Sequence, residues 1–122
     1  MITLYGIPNC DTVKKARAWL EEQGLPHAFH DFKKAGVPEA DLDAWLAAVG
    51  WETLVNRSGT TWRKLDETVR AAVVDAASAR ALMLAQASVI KRPVTRWPDG
   101  LTTVGFRAEA YAERLAALRS PR

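Results

Sequence analysis

The feature that most constrains the fold is a strand, a helix and a second strand within the first 32 residues. Residues 2–5 are a short apolar run that predicts a strand. From residue 11 to 23, apolar side chains recur at helical spacing, and Gly24 follows as a stop signal. Residues 26–32 predict the second strand. A unit of this length joins two parallel strands through a right-handed crossover helix.

The middle of the chain predicts helices. Pro38 suits the first turn of a helix that Gly50 ends, because proline has no amide hydrogen to lose there. Asp66 is expected to cap a further helix whose apolar positions continue to Ala76. Ser78 is expected to cap another, which runs through Gln86.

The end of the chain returns to strands. Residues 89–96 and 101–106 flank Asp99-Gly100, and Asp-Gly between two such runs is a hairpin signal. A last helix then places Tyr111, Leu115 and Leu118 on one face.

The order of these elements, βαβ, then helices, then ββα, is that of a thioredoxin-like core. We therefore predict an α/β fold with a mixed four-stranded sheet and a helical insert after the second strand, at about residues 36–88. The chain has 122 residues and shows no repeat or linker, so we expect one domain over residues 1–122.

Composition excludes several classes. The chain has no signal-like start and no apolar run of the roughly 18 residues that a bilayer requires, so we expect a cytoplasmic protein without membrane contact. We also expect a monomer. His27 and His30 lie three apart in a predicted strand, on opposite faces, and we expect no metal. The chain has no glycine-rich loop of the kind that binds phosphate, so we expect no nucleotide cofactor. The net charge of +3 is spread along the chain, which favours small anions over nucleic acid.

Cys10 is the only cysteine, and two interpretations compete for it. Free cysteine is often a small buried hydrophobe. Cys10 lies, however, between a strand and the first turn of a helix, where free amides favour a thiolate. Lys14 would assist and Asp11 would oppose the negative charge. Val13 stands where a C-x-x-C motif has its second thiol, so another molecule must resolve an oxidised Cys10, and glutathione is the expected cytosolic thiol.

A proline and three arginines complete the candidate site. Arg92-Pro93 fits the cis-proline that abuts the reactive cysteine in thioredoxin-like folds, although a trans proline at a strand edge is the commoner arrangement. Arg57, Arg92 and Arg107 stand at predicted turns. Each is either a solvated surface residue or a ligand for an oxyanion or carboxylate, and Arg107 begins a helix, where a cation is disfavoured unless an anion balances it.

Five segments resemble the ArsC/Spx family, in its YffB-like branch. They are residues 5–16 (YGIPNCDTVKKA), 49–52 (VGWE), 54–65 (LVNRSGTTWRKL), 82–94 (LMLAQASVIKRPV) and 104–107 (VGFR). The resemblance implies a thioredoxin-like fold with a helical insert, Cys10 as nucleophile, Pro93 as the cis-proline, and Arg57, Arg92 and Arg107 as the arginines that bind an oxyanion. The segment around Cys10 departs from the Asn-Pro-x-Cys pattern of the arsenate reductases, and Val13 removes the C-x-x-C switch of the Spx regulators.

The resemblance leaves three hypotheses. The first is a glutathione-dependent thiol oxidoreductase, with glutathione as co-substrate and a small oxyanion or a thiol or disulfide as substrate. The second is a true arsenate reductase. The third is a Spx-like regulator or interaction module that binds RNA polymerase.

Overall fold

The computed structural model describes residues 1–119, which form two compact units. The sheet unit contains the chain up to Asp31 and from Arg92 onwards, and the helical unit contains Phe32–Lys91. In chain order, the elements are β1 (Ile2–Gly6), α1 (Asp11–Glu22), β2 (His27–Asp31), α2 (Phe32–Ala35), α3 (Glu39–Val49), α4 (Trp51–Leu54), α5 (Thr60–Lys64), α6 (Glu67–Ala71), α7 (Ala76–Ala85), β3 (Val94–Arg96), β4 (Thr102–Val104) and α8 (Ala108–Arg119).

The sheet unit is built on four strands in the order β2-β1-β3-β4. β1 pairs with β2 in parallel, with Leu4 opposite Phe29, and α1 forms the crossover between them. β3 runs antiparallel to β1, with Tyr5 opposite Val94, and β4 runs antiparallel to β3. The predicted βαβ unit and mixed four-stranded sheet are therefore confirmed.

The core of the sheet unit lies where β1, α1 and α8 pack together. Leu4 from β1 and Leu20 from α1 have no solvent exposure, and Tyr111 and Leu115 from α8 complete the cluster. Tyr111 meets Trp97 edge to face, with ring centroids 4.9 Å apart. α8 thus buries the face that its apolar spacing predicts.

The hairpin signal at Asp99-Gly100 is also confirmed. The turn is closed by a hydrogen bond of 2.9 Å from the Gly100 amide to the Trp97 carbonyl, and Gly100 has a φ of 88°. A glycine suits this left-handed conformation because it has no Cβ to clash. The Asp99 side chain accepts from the Leu101 amide at 3.1 Å, which fixes the end of the turn.

The helical unit differs from the sequence prediction between residues 66 and 78. The helix predicted from Asp66 to Ala76 ends at Ala71, and α7 begins at Ala76. Asp75, not Ser78, caps α7: its carboxylate accepts from the Ser78 amide, and the Ser78 hydroxyl accepts from the Asp75 amide. Such a capping box starts a helix where it stands. Apolar positions continue past Ala71, so the sequence placed the break between the two helices after Ala76 and not after Ala71.

The strand predicted over residues 89–96 is shorter than expected. Only Val94–Arg96 is strand, and Ala87–Val89 forms a 3-10 turn. Pro93 has no amide hydrogen to give to a ladder, so regular pairing begins after it. Ile90 instead forms an isolated bridge with Val55 inside the helical unit.

Two kinds of feature, a membrane-spanning helix and a metal-binding cluster, are not found among residues 1–119. In that range no helix has both the length and the apolar character to cross a bilayer. In the same range, no three His, Cys, Asp or Glu side chains are grouped closely enough to hold a metal ion.

Candidate active site around Cys10

Cys10 lies at the N-terminus of α1, as the sequence predicts. Its backbone is extended, with φ −134° and ψ 122°, and it occupies the capping position before Asp11. The Cys10 carbonyl accepts the first helical hydrogen bond, from the Lys14 amide at 2.9 Å. The residue is partly buried. The sulfur therefore stands at the end of a helix where the first amides have no intrahelical partner.

The surroundings of Cys10 favour the thiolate. Partial burial raises the pKa of the Cys10 thiol. Two influences oppose burial: hydrogen bonding from the Val13 amide, the Arg92 side chain and the Thr12 amide, and the positive charge of Arg92. Together they outweigh burial and lower the pKa below its ordinary value. The sulfur makes no capping hydrogen bond of regular geometry. Sulfur is a weak acceptor, and these contacts gain their strength when it is ionised.

Arg92 reaches Cys10 because β3 runs beside β1. Tyr5 pairs with Val94, so the residues before Val94 lie alongside the end of β1, from which the chain leads to Cys10. The Arg92-Pro93 peptide bond is cis, as predicted, and Pro93 is buried. The structure thus brings Cys10 and Arg92 together, with Pro93 next to Arg92.

Arg107 lies at the start of α8. Its carbonyl accepts from the Tyr111 amide at 3.0 Å, and its side chain is exposed. The Gly105 amide donates to the Pro93 carbonyl at 2.9 Å, which ties the segment before Arg107 to the proline. Arg107 therefore begins a helix, as the sequence predicts, in the same unit as Cys10. Its part in binding an anion stays a prediction.

Arg57 belongs to the helical unit. Its guanidinium lies 3.9 Å from the Glu52 carboxylate and 5.7 Å from the centroid of the Trp51 ring, and half of its side chain is exposed. With Glu52, Asn56, Ser58 and Lys91, it lines a cavity of about 350 Å³ within that unit. The two cations are suited to a carboxylate or an oxyanion, whereas the Glu52 carboxylate opposes one. The role of Arg57 also stays a prediction.

The sequence predicted that free amides and a nearby cation would favour the thiolate of Cys10. Lys14, which the sequence favoured as that cation, is exposed, and the charge that lowers the pKa of Cys10 comes from Arg92. The amides are those of Thr12 and Val13, which the sequence did not single out. A thiolate flanked by helix amides and an arginine can attack a sulfur atom or an oxyanion.

Known proteins resemble this chain over nearly its whole length. The model of the ArsC family matches residues 5–114. A solved structure of the YffB protein is 52% identical with a TM-score of 0.87, over 95% of this chain and all of that one. The structure of an arsenate reductase (ArsC) related protein from Brucella melitensis is 55% identical with a TM-score of 0.73, over 93% of each chain.

A regulator also matches, over a shorter part. The global transcriptional regulator Spx of Listeria innocua is 56% identical over 68 residues, which are 54% of this chain and 52% of that protein. The ArsC match, in contrast, includes Cys10, Arg57, Arg92, Pro93 and Arg107. Together with the four-stranded sheet and the thiol at the start of α1, this match shows that the chain belongs to the ArsC family.

Proposed function

We propose that this chain is a glutathione-dependent thiol oxidoreductase whose nucleophile is Cys10. The observation that carries the proposal is the position of Cys10 at the start of α1, where the Val13 amide and Arg92 interact with the sulfur and lower its pKa against the effect of burial. A thiol with a lowered pKa is ionised in a larger fraction near neutral pH, and the thiolate is the form that attacks.

The proposed reaction begins with a disulfide substrate. The Cys10 thiolate attacks one sulfur, the substrate S–S bond breaks, and the second sulfur leaves with the electron pair and takes a proton from solvent. Cys10 now carries a mixed disulfide. A glutathione thiolate attacks the Cys10 sulfur and releases the remaining substrate thiol, which leaves Cys10 joined to glutathione. A second glutathione thiolate then attacks the sulfur of the bound glutathione, which forms oxidised glutathione and releases the Cys10 thiolate. One substrate disulfide and two glutathione molecules become two thiols and one oxidised glutathione.

Glutathione enters because the chain has a single cysteine. Without a second thiol, the mixed disulfide on Cys10 requires an external one. Glutathione carries two carboxylates, and we propose the exposed Arg107 of the sheet unit as a carboxylate ligand and, separately, the exposed Arg57 of the helical unit. For Arg57 the support is the sequence resemblance and the cavity that it shares with Lys91 in the helical unit. A monomer in the reducing cytoplasm is the form and setting that this chemistry suits.

The experiment is a turnover assay with a small mixed disulfide as substrate, glutathione as reductant, and the wild-type chain against Cys10→Ser. We expect turnover that depends on glutathione in the wild type and is lost in Cys10→Ser, because a hydroxyl is a far weaker nucleophile at neutral pH. Circular dichroism of the variant checks that its fold is intact. Equal turnover in both chains would contradict the proposal.

Arsenate reduction is the second candidate, supported by the ArsC match and by an arginine beside the thiol. Here the Cys10 thiolate would attack arsenic and displace one arsenate oxygen as water, with arginines neutralising the oxyanion. Two glutathione molecules would then supply the two electrons that reduce arsenate to arsenite and would become oxidised glutathione. The same assay with arsenate in place of the disulfide separates the two candidate functions, because only an arsenate reductase oxidises glutathione when arsenate is the sole substrate. A chain inactive with both substrates would favour a Spx-like interaction module, which the partial match to Spx supports.

A further inference from the structure

Gly6 occupies a strand position at which glycine is unfavourable. It is the last residue of β1, it is buried, and it pairs with Asp31 of β2. Glycine in a strand lacks a side chain to pack and gives up more backbone freedom than other residues. Its φ does not lie in the left-handed region, unlike that of Gly24 or Gly100. The backbone conformation at Gly6 therefore does not require a glycine, and the reason for the glycine lies in the space around it.

That space is filled by two residues of the site. A Cβ at Gly6 would lie 3.0 Å from Cγ2 of Val13, and 3.7 Å and 3.9 Å from Cβ and Cδ of Arg92. The contact with Val13 is tighter than carbon atoms normally allow. Val13 cannot yield easily, because it has no solvent exposure and because its branched side chain is restricted at χ1.

Val13 and Arg92 are also two of the groups that interact with the sulfur of Cys10. Val13 contributes its amide from the first turn of α1, and Arg92 contributes its guanidinium. We propose that Gly6 is a positioning residue, whose missing side chain leaves the space in which the first turn of α1 and Arg92 approach the Cys10 sulfur. The proposal rests on the proposed function in taking Cys10 as the nucleophile.

A side chain at position 6 would act on Cys10 through these two neighbours. Pushing Val13 away displaces the turn that carries its amide, and displacing the stem of Arg92 moves its guanidinium. The other charged residues nearby, the exposed Asp11 and Lys14 on α1 and Asp31 opposite Gly6, keep their charges in the variant. The expected consequence is a less stable thiolate.

The test compares Gly6→Ala with the wild-type chain by the rate at which iodoacetamide alkylates the protein as a function of pH. Because the chain has one cysteine, the profile reports on Cys10 alone. We expect the midpoint to move to higher pH and the rate at neutral pH to fall by about two- to tenfold, as the thiolate loses part of its hydrogen bonding. A folded Gly6→Ala with the wild-type profile would overturn the proposal.

Gly24→Ala is the matched control. Gly24 lies in the same unit with a φ of 69°, and a Cβ there would meet no atom within 4 Å. Alanine at such a φ is strained and destabilises the chain without touching the site. We expect Gly24→Ala to keep the wild-type alkylation profile. A shift equal to that of Gly6→Ala would mean that general loss of stability moves the profile, and would contradict a positioning role.

A double variant decides the outcome if Gly6→Ala does not fold. Val13→Ala removes the carbon atom 3.0 Å from the new Cβ but keeps the amide that faces the sulfur. Val13→Ala alone is the reference for the double variant. We expect Gly6→Ala/Val13→Ala to fold and to give the same profile as Val13→Ala. A double variant that stays unfolded or keeps the shifted profile would refute the proposal. If the profiles behave as expected but Cys10 does not exchange with glutathione, only the proposed function fails.

Discussion

Replacing Arg92 with methionine removes the cation from Cys10 while keeping an unbranched side chain of similar length. The apolar stem of Arg92 packs beside Gly6, and methionine retains most of that packing. What disappears is the side-chain hydrogen bond and the positive charge that lower the pKa of Cys10. The burial that raises it remains, and so do the amides of Val13 and Thr12. The pKa of Cys10 is therefore expected to rise.

The size of the effect follows from the exposure of the thiol. A hydrogen bond to a charged group contributes about 1.5–3 kcal/mol in a shielded place. Cys10 is only partly buried, so solvent screening reduces this to about 1 kcal/mol. That energy corresponds to about a fivefold smaller ratio of thiolate to thiol below the midpoint. Alkylation by iodoacetamide at neutral pH should slow by the same factor and should recover in alkaline solution.

Arg96→Met is the matched control for this prediction. Arg96 lies four residues further along, at the end of β3, and is exposed. The same change of charge there leaves the sulfur and its partners in place, so we expect the wild-type rate. If Arg92→Met reacted as fast as the wild-type chain across the pH range, or no slower than Arg96→Met, the electrostatic account of Cys10 would be wrong.

Two further predictions concern anion binding and the core. Replacing Arg57 or Arg107 with methionine should raise the KM for glutathione by about fivefold in each variant, the equivalent of about 1 kcal/mol for a partly exposed charged hydrogen bond. The melting temperature of each variant should stay near the wild-type value. An unchanged KM would mean that the replaced arginine does not bind glutathione. Burial raises the pKa of Tyr111 to about 12, although its hydrogen bond with Thr95 opposes the shift. Because the folded pKa lies above the ordinary one of 10.0, the stabilising contribution is complete below pH 10 and falls by about 1.4 kcal/mol per pH unit as the pH rises towards 12. Urea unfolding of Tyr111→Phe should lack this decline, and an identical decline in both chains would refute the assignment.

The sequence predicted those parts of the fold that local patterns determine. The alternation of strand and helix up to Asp31, the Asp-Gly hairpin and the apolar face of α8 were all visible in residue spacing and turn chemistry. The break after Ala71 was not, because the apolar positions continue in phase while the Asp75 capping box starts a new helix. β3 is short because Pro93 has no amide hydrogen for a ladder, so the strand predicted from residue 89 begins only at Val94.

Local sequence and the family resemblance predicted some features of the candidate site, whereas its long-range contacts were not predicted. The place of Cys10 before a helix follows from local sequence, and the cis Arg92-Pro93 bond followed from the resemblance. The approach of Arg92 to Gly6 depends on the pairing of β1 with β3, which no spacing in the sequence specifies. Contacts between residues distant in the chain are the part that required the structure.

The most direct test of the central claim, that Cys10 exchanges with glutathione, is the intact mass of the chain after incubation with oxidised glutathione at neutral pH. The account predicts one glutathione per chain, because no second cysteine can displace it. Excess reduced glutathione should remove the adduct, and Cys10→Ser should form none. A wild-type chain that stays at its unmodified mass, while iodoacetamide still alkylates Cys10, would contradict the account.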